Sequence, residues 1–309
     1  MTGPARAPVV AAVIDIGSNS VLLLSVALDV DGHARGIDGA LATTRLAAGL
    51  RPGGMLDEAA RVRTRDAVSA FAARARTAGA RWTWAFATGA VRDATDGRDF
   101  AAELGATTGV PVEVLSGERE ARLAHAAAAA AVGSDGAPLV VADIGGWTTE
   151  LTFGVGDRVL DVASLRLGAL ALTEAHGANL RRVTDAVDAA LGGWDMPPRA
   201  RGARLAGSGG TATALAAVDL GLATYDPRRI HGHVLDAAAL ARLAACRDAP
   251  GLDPGRAAIL PAGAAILARI VARIAASAVT VSDHGVRHGY LRAALAAEGV
   301  HADLRELWP

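Results

Sequence analysis

The chain has 309 residues and a formal net charge of −1, and its length is more than a single core usually sustains, so we expect two domains. The interspersed charges predict no general attraction to nucleic acid or to an anionic membrane, and the single cysteine, Cys246, excludes an internal disulfide. The N-terminus lacks a signal-peptide pattern and the apolar stretches are too short to cross a bilayer, which together predict a cytoplasmic protein.

The first 133 residues alternate predicted strands and helices. Apolar runs at 8–17 and 20–36 are joined through Asp-Ile-Gly, which indicates a hairpin. A helix is predicted at 57–79, where an aspartate precedes apolar residues at helical spacing and a glycine ends them. Further elements follow in the order strand 81–90, helix 96–109, strand 111–117 and helix 118–133. This alternation favours an α/β layer architecture.

The opening pattern then returns. VIDIGSNSVLLLSV and VADIGGWTTELTFG are diverged copies of one strand, loop and strand unit, and 128 residues separate Asp15 from Asp143. This duplication predicts two similar domains, 1–125 and 126–309, that face each other across a cleft in which a ligand sits. We expect the hinge near 118–132 and the final helices to pack back onto the first domain.

The second half continues with a further set of predicted elements. They are a helix at 181–194, a strand and loop at 203–218, a loop at 221–235, a helical segment at 255–277, and a strand and loop at 278–296.

The two glycine-rich loops are candidates for phosphate binding. Backbone amides in such a turn can converge on phosphate oxygens, although a single Asp-x-Gly turn is commonly structural. The repetition favours the functional interpretation. Asp15 and Asp143 at the strand ends suit a magnesium ion or its waters, with Glu150 as a third oxygen ligand, but aspartates that cap turns fit equally well.

Seven segments occur in a defined order along the chain: VIDIGSNSVLLLSV, FATGAVRDATDG, VEVLSGEREARLAH, VVADIGGWTTELTFG, LRLGALALTE, LAGSGGTATALAAVDLGLATYDPRRIHGHVL and VTVSDHGVRHGYL. This ordered set resembles the exopolyphosphatase and guanosine pentaphosphate phosphohydrolase (Ppx/GppA) family over nearly the whole chain. The resemblance implies two ribonuclease-H-like (actin-like ATPase) domains around a central cleft. It also implies hydrolysis of the terminal phosphate of polyphosphate or the 5′ phosphate of guanosine pentaphosphate, a divalent cation (Mg²⁺ or Mn²⁺) and a homodimer.

The resemblance also implies roles for individual residues. Glu120 matches the base that activates water, and Arg92 matches an arginine that neutralises phosphate. From the sequence alone, Glu120 fits a solvated first turn of a helix, and Arg92 fits a surface ion pair with Asp93 or Asp96. The phosphate-binding set comprises Gly17, Ser18, Asn19, Ser20, Gly145, Gly146, Thr148, Gly207, Ser208, Gly209, Gly210 and Thr211.

Two histidine-containing segments allow more than one interpretation. Arg228, Arg229 and His231 either line a channel for the rest of a polyphosphate chain or form a solvated loop. The second segment, with His284, Arg287 and His288, looks like a metal cluster but has no cysteine or carboxylate at ligand spacing beyond Asp283, so we do not expect a zinc site there.

Trp147 departs from the family pattern. The family usually reads Asp-x-Gly-Gly-Gly-Ser-Thr-Glu, where this chain has a tryptophan at 147 and a threonine at 148. An indole in the cleft would fill phosphate space, strain the turn or stack on a guanine; one directed away would leave the amides of Gly145 and Gly146 for phosphate.

Three functions therefore stand as hypotheses. We favour the phosphohydrolase. A silent protein that binds a polyphosphorylated ligand follows if Trp147 closes the site, and an ATP-dependent kinase is less consistent with a hydrolase-type base at Glu120.

Overall fold

The computed structural model describes residues 8–133, 136–246, 249–305 and 307. Its strands are β1 (Val9–Ile16), β2 (Ser20–Leu28), β3 (Ala34–Thr43), β4 (Trp82–Ala87), β5 (Val112–Val114), β6 (Pro138–Ile144), β7 (Thr149–Val155), β8 (Arg158–Leu165), β9 (Arg204–Ser208), β10 (Val234–Asp236) and β11 (Ala278–Val281). Its helices are α1 (Glu58–Thr77), α2 (Gly89–Asp93), α3 (Gly97–Thr108), α4 (Gly117–Val132), α5 (Ala169–His176), α6 (Leu180–Gly192), α7 (Gly209–Asp219), α8 (Pro227–Ile230), α9 (Ala237–Ala244), α10 (Pro254–Ala257), α11 (Leu260–Ile274) and α12 (Val286–Ala297).

Two sheets repeat one topology. The first has the order β3-β2-β1-β4-β5 and the second, read in the same sense, has the order β8-β7-β6-β9-β11-β10. In both, the first three strands are antiparallel, and the next two are parallel to the central strand, β1 or β6; the second sheet adds β10 as an antiparallel edge strand. Because parallel neighbours need a crossover, helices separate these strands in sequence. The duplicated sequence unit is therefore also a duplicated structural unit.

The turns after β1 and β6 have the same hydrogen bond. The Gly17 N–H donates to the Ser20 carbonyl at 3.0 Å, and the Gly145 N–H donates to the Thr148 carbonyl at 2.9 Å. A Cβ on Gly17 would lie 2.8 Å from that Ser20 oxygen, so a side chain does not fit there without moving the turn. The glycine pattern thus sets both loops at the carboxyl ends of the central strands.

The C-terminal helix packs on the first sheet. Tyr290 of α12 stacks on Phe86 of β4 with ring centroids 4.6 Å apart, and Leu291 and Leu295 are buried in the same cluster as Val13 of β1. The last helix therefore returns to the first sheet, whereas the boundary between 125 and 126 stays a prediction.

Several segments differ from the sequence-based assignment. β3 was not predicted. The predicted helical segment 255–277 is two helices, because Pro261 in the first turn of α11 lacks the N–H needed to continue a helix from before it. The predicted loop after β9 is helix α7, and the loop 221–235 contains α8 and β10. Within the described residues, none of the helices combines the length and apolar character needed to cross a membrane.

Candidate active site

A cleft of about 650 Å³ lies between the two duplicated loops. It is bounded by the carboxyl ends of β1 and β6 and by the N-terminal ends of α4 and α7. The sequence-predicted residues that line it are Asp15, Gly17, Ser18, Asn19, Ser20, Glu120, Asp143, Gly145, Gly146, Thr148, Gly209, Gly210 and Thr211.

The two loops meet across the cleft. A Cβ on Gly146 would lie 3.2 Å from the Asn19 Cβ and 3.4 Å from the Asn19 nitrogen, so a glycine permits this approach. The Gly145 N–H donates inside its own turn, and phosphate binding by this residue stays a prediction. The Ser18 hydroxyl accepts the Ala90 N–H at 3.1 Å, which ties the first loop to α2.

Two aspartates lie at the base of the cleft. Burial raises the pKa of Asp15 to about 7, with Arg287 lowering and Asp143 further raising it. Burial also raises the pKa of Asp143 to about 6. The hydrogen bond that the Ser208 hydroxyl donates to this carboxylate at 2.9 Å lowers the pKa and so opposes the rise. Burial thus makes the ionised form of each carboxyl unfavourable. A divalent cation that binds one or both carboxylates, together with phosphate oxygens and water, would offset this free-energy cost of ionisation.

Glu120 occupies the first turn of α4. Ser116 caps this helix by accepting the Arg119 N–H at 3.2 Å, so the carboxylate stands at a fixed place on the cleft wall. Burial raises the pKa of Glu120 well above its usual range, and Glu150 and Asp143 add to the rise while Arg92 opposes it.

Arg92 binds the Glu120 carboxylate and lies outside the cleft lining. Its Nη1 donates to Glu120 Oε2 at 2.6 Å and to the Leu115 carbonyl at 3.1 Å, and its Nη2 lies 3.5 Å from Glu150 Oε1. Burial alone would lower the pKa of Arg92, but Glu120 and Glu150 raise it overall, so the guanidinium stays charged. Arg92 is outside the cleft lining and neutralises carboxylates in this structure; the surface ion pair that the sequence allowed is the weaker contact, with Asp93 at 3.8 Å.

Glu150 also lies outside the cleft lining. It accepts hydrogen bonds from the Ser164 hydroxyl at 2.8 Å and the Thr148 hydroxyl at 3.4 Å, and burial raises its pKa to about 7. Among the described residues, the group whose possible metal-ligand atoms lie within 4.8 Å of one another is the exposed set Asp29, Asp31 and His33. Glu150 is thus outside the cleft wall on which Asp15 and Asp143 lie, and the role of these three carboxylates as cation ligands stays a prediction.

The junction of β9 and α7 forms a third side of the cleft. Gly209 has φ +80°, and a Cβ there would lie 2.4 Å from Asp143 Oδ1. Gly210 and Thr211 line the cleft in the first turn of α7, where free amides and the helix dipole favour an anion. Gly207 and Ser208 are outside the lining: Gly207 packs against Val279 within the sheet, and Ser208 supports Asp143.

One arginine in the cleft lining, Arg256, was missed in the sequence, and Arg287 was considered there only as part of a possible metal cluster with His284 and His288. Arg256, from α10, donates to the Gly210 carbonyl at 2.8 Å, and Arg287, from α12, faces Asp15. Both come from segments that are distant in sequence from the two duplicated loops, and only the tertiary fold brings them to the cleft. The predicted channel residues Arg228 and Arg229 are exposed on α8 and outside the lining.

The histidines near the same end of the cleft pack on one another. The rings of His231 and His284 have centroids 5.3 Å apart, and those of His284 and His288 are stacked at 4.4 Å. Burial lowers the pKa of His284 to about 4, so this ring is neutral at pH 7. Of the three, only His288 lines the cleft.

Comparison with known proteins agrees with this geometry. The family model described as "Ppx/GppA phosphatase family" matches residues 25–298. The chain belongs to this family. It is 31% identical over 292 residues to the guanosine-5'-triphosphate,3'-diphosphate pyrophosphatase of Vibrio cholerae, and the matched region covers 90% of this chain and 58% of that protein. It is 35% identical over 161 residues to exopolyphosphatase 1 of Mycobacterium tuberculosis, and the matched region covers 52% of this chain and 47% of that protein.

The chain thus spans about half the length of these curated Ppx/GppA relatives. The crystal structure of the Aquifex aeolicus family member is similar with a TM-score of 0.76 and 27% identity, over 94% of this chain and 99% of that one. The expected two-domain, actin-like α/β fold is confirmed by this likeness.

Trp147, which stands at a usual glycine position of the Ppx/GppA pattern, is directed away from the cleft. The residue is 6% exposed and packs in the core beside the first sheet, and its Nε1 donates to Asp93 Oδ2 at 3.0 Å. It is outside the cleft lining and therefore neither fills the phosphate space nor stacks on a ligand there.

Proposed function

We propose that the chain is a phosphoanhydride hydrolase that releases the terminal phosphate of polyphosphate or the 5′ phosphate of guanosine pentaphosphate. The observation that carries the proposal is the position of Glu120. This buried carboxylate lines the same cleft as both glycine-rich loops, and Arg92 orients it at 2.6 Å. Membership of the Ppx/GppA family supports the same reaction class.

The reaction is an in-line attack of water on the terminal phosphorus. The loop amides and the N-terminal turn of α7 hold the equatorial oxygens, and Glu120 takes a proton from the attacking water. As the new P–O bond forms, the bridging P–O bond breaks and its electron pair leaves with the shortened phosphate chain. The raised pKa of Glu120 makes it a stronger base, while Arg92 favours its ionised form.

Asp15 and Asp143 would hold the divalent cation, Mg²⁺ or Mn²⁺, whose chemistry is to neutralise charge on the phosphate oxygens. The donor set fits such an ion, because both side chains are carboxylates whose pKa burial keeps raised, in Asp15 even though Arg287 opposes the rise. Asn19 Oδ1 is a further buried oxygen without a hydrogen-bond partner among the described residues.

The walls of the cleft favour guanosine pentaphosphate over long-chain polyphosphate. Among the described residues, the lining has two arginines, Arg256 and Arg287, against several carboxylates. A chain made of phosphate alone gains little there beyond its terminal groups. An apolar wall suits a nucleobase, and the large apolar side chains of the lining include Leu22, Leu41, Leu222, Leu252 and Ile259.

The deciding experiment measures phosphate release from guanosine pentaphosphate and from long-chain polyphosphate with Mg²⁺. We compare the wild type with Glu120→Gln, which keeps the shape and an oxygen for Arg92 but is a far weaker base. Glu118→Gln is the matched control, because Glu118 is exposed on the same helix turn and pairs with Arg122. We expect Glu120→Gln to lower kcat by about 10² to 10⁴ and the control to match the wild type.

A wild type that releases phosphate from neither substrate contradicts the proposal, as does full activity in Glu120→Gln. Preferential release from polyphosphate would contradict only the substrate preference.

The setting of this enzyme is also a proposal. We propose a cytoplasmic homodimer without nucleic-acid or membrane partners, as the family resemblance implies. Light scattering coupled to gel filtration tests the dimer, since a single species with the monomer mass of 31.2 kDa would contradict it.

A further inference from the structure

Trp147 joins the second glycine-rich loop to the helix that carries Arg92. Its buried indole shares a core cluster with Ala90 of α2. Its Nε1 donates to Asp93 Oδ2, at the last residue of the same helix, at 3.0 Å. A side chain from the loop of one sheet is thus buried in the core of the other sheet.

The start of α2 lies directly on the same loop. A Cβ on Gly89 would lie 2.8 Å from Thr148 Oγ1 and 3.3 Å from Trp147 Cδ1. At the far end of this five-residue helix, Arg92 Nη1 donates to Glu120 Oε2 at 2.6 Å. Because α2 is little more than one turn long, a displacement at the loop is passed to Arg92.

Arg166 is the other donor to Asp93, with its Nε 2.9 Å from Oδ2. Its side chain is 57% exposed, so water competes for this contact. The buried indole N–H is the contact that solvent does not replace.

We propose that Trp147 is a positioning residue that holds α2 against the phosphate loop, so that Arg92 presents Glu120 to the phosphorus bound there. The inference rests on the hydrolase function proposed above. It explains why a large residue is accepted where the family usually has glycine: the indole does not enter the cleft, but ties the loop of one domain to the base-holding arginine of the other.

The chain offers a matched control for this role. Trp194 is 3% exposed and its Nε1 donates to Asp161 Oδ2 at 3.2 Å, within the core beside the second sheet. Phenylalanine at either position keeps an aromatic ring and removes the N–H. The two substitutions therefore delete the same kind of hydrogen bond, and only one of them spans the two sheets.

We expect Trp147→Phe to lower kcat for phosphate release on the order of tenfold while KM changes by less than about twofold, because substrate binding is kept and the base is misplaced. Trp194→Phe should leave both near the wild-type values. Trp147→Gly should lower kcat further. Equal kcat in the two phenylalanine variants, or a higher kcat in Trp147→Gly, would overturn the proposal.

Hydrogen–deuterium exchange gives a second readout that needs no hydrolysis. Peptides covering 88–95 and 116–121 should take up deuterium faster in Trp147→Phe than in the wild type. In Trp194→Phe the same peptides should exchange at the wild-type rate. Unchanged uptake in Trp147→Phe would refute the coupling. If the wild type hydrolyses neither substrate, the proposed function fails, and the exchange data still decide whether Trp147 positions α2.

Discussion

Replacing Asp143 by asparagine should stabilise the protein at alkaline pH in the absence of a divalent cation. Burial raises the pKa of this carboxyl from 3.8 to about 6. Its side chain is 7% exposed, whereas Asp15 is only half-buried, so Asp143 is the better probe of the cleft. Asparagine keeps the shape and an oxygen for Ser208 but carries no charge.

The sign and size follow from linkage. A raised folded pKa means that the native state holds the proton more tightly, so its contribution to stability is full below pH 3.8 and is lost as the pH rises through about 6. A shift of about 2 pH units at about 1.4 kcal/mol each gives about 3 kcal/mol. We therefore expect Asp143→Asn to exceed the wild type by up to about 3 kcal/mol at pH 8 and by almost nothing at pH 3.5.

The assay is urea unfolding from pH 3.5 to 8 with EDTA and then with Mg²⁺, with Asp195→Asn, an exposed aspartate, as the control. Mg²⁺ should stabilise the wild type at pH 8 and have little effect on Asp143→Asn, because a ligand that binds only the native state raises its stability. A variant that is destabilised equally at both ends of this pH range would refute the reasoning, since it would show that the fold itself requires the negative charge.

Two further substitutions test the walls of the cleft. Gly209→Ala should lower phosphate release by about 100-fold and the free energy of unfolding by about 1 to 3 kcal/mol, because its Cβ would lie 2.4 Å from Asp143 Oδ1 at φ +80°. Gly49→Ala is the control in both assays, because Gly49 has a similar φ of +69° but no atom within 4 Å of the added Cβ. Wild-type phosphate release in Gly209→Ala would contradict the packing. Arg256→Ala should raise KM by about tenfold with a smaller change in kcat, measured by steady-state phosphate release, because it removes a cation from the lining but leaves Glu120 in place. An unchanged KM would exclude Arg256 from binding.

The hairpin loops of the site were predictable because their signals are local. An apolar run that closes on Asp-x-Gly specifies a buried strand and the turn after it, and the second occurrence at Asp143 identified the duplication. Both turns then formed with the same hydrogen bond. Glu120 was identified by the family resemblance rather than by local chemistry, since the same letters fit a solvated helix start.

The elements that were missed depend on distant partners. β3 is an edge strand that contains Gly36 and Gly39, and it owes its order to its pairing with β2 rather than to its own propensity. Arg256 and Arg287 reach the cleft only after α10 and α12 have packed. The direction of Trp147 was equally undetermined, because the cavity that accepts its indole belongs to the other sheet.

The two copies of the hairpin differ at positions that fit the proposed, directional reaction. Asp15 and Asp143 remain equivalent, but the registers place Leu22 opposite Asp15 and Glu150 opposite Asp143. In the first copy that position contributes an apolar wall to the cleft; in the second it gives a carboxylate that lies 3.5 Å from the guanidinium of Arg92.

The position after Ser18 and Gly146 has diverged in the same way. Asn19 stays in the cleft, whereas Trp147 crosses into the other core and reaches Asp93. Both changes in the second copy therefore contact α2, the helix that holds Glu120 through Arg92. In-line hydrolysis needs phosphate contacts from both sides but a base on only one. In the reaction that we propose, the residues shared by the two loops would meet the first need, and the residues that differ would meet the second.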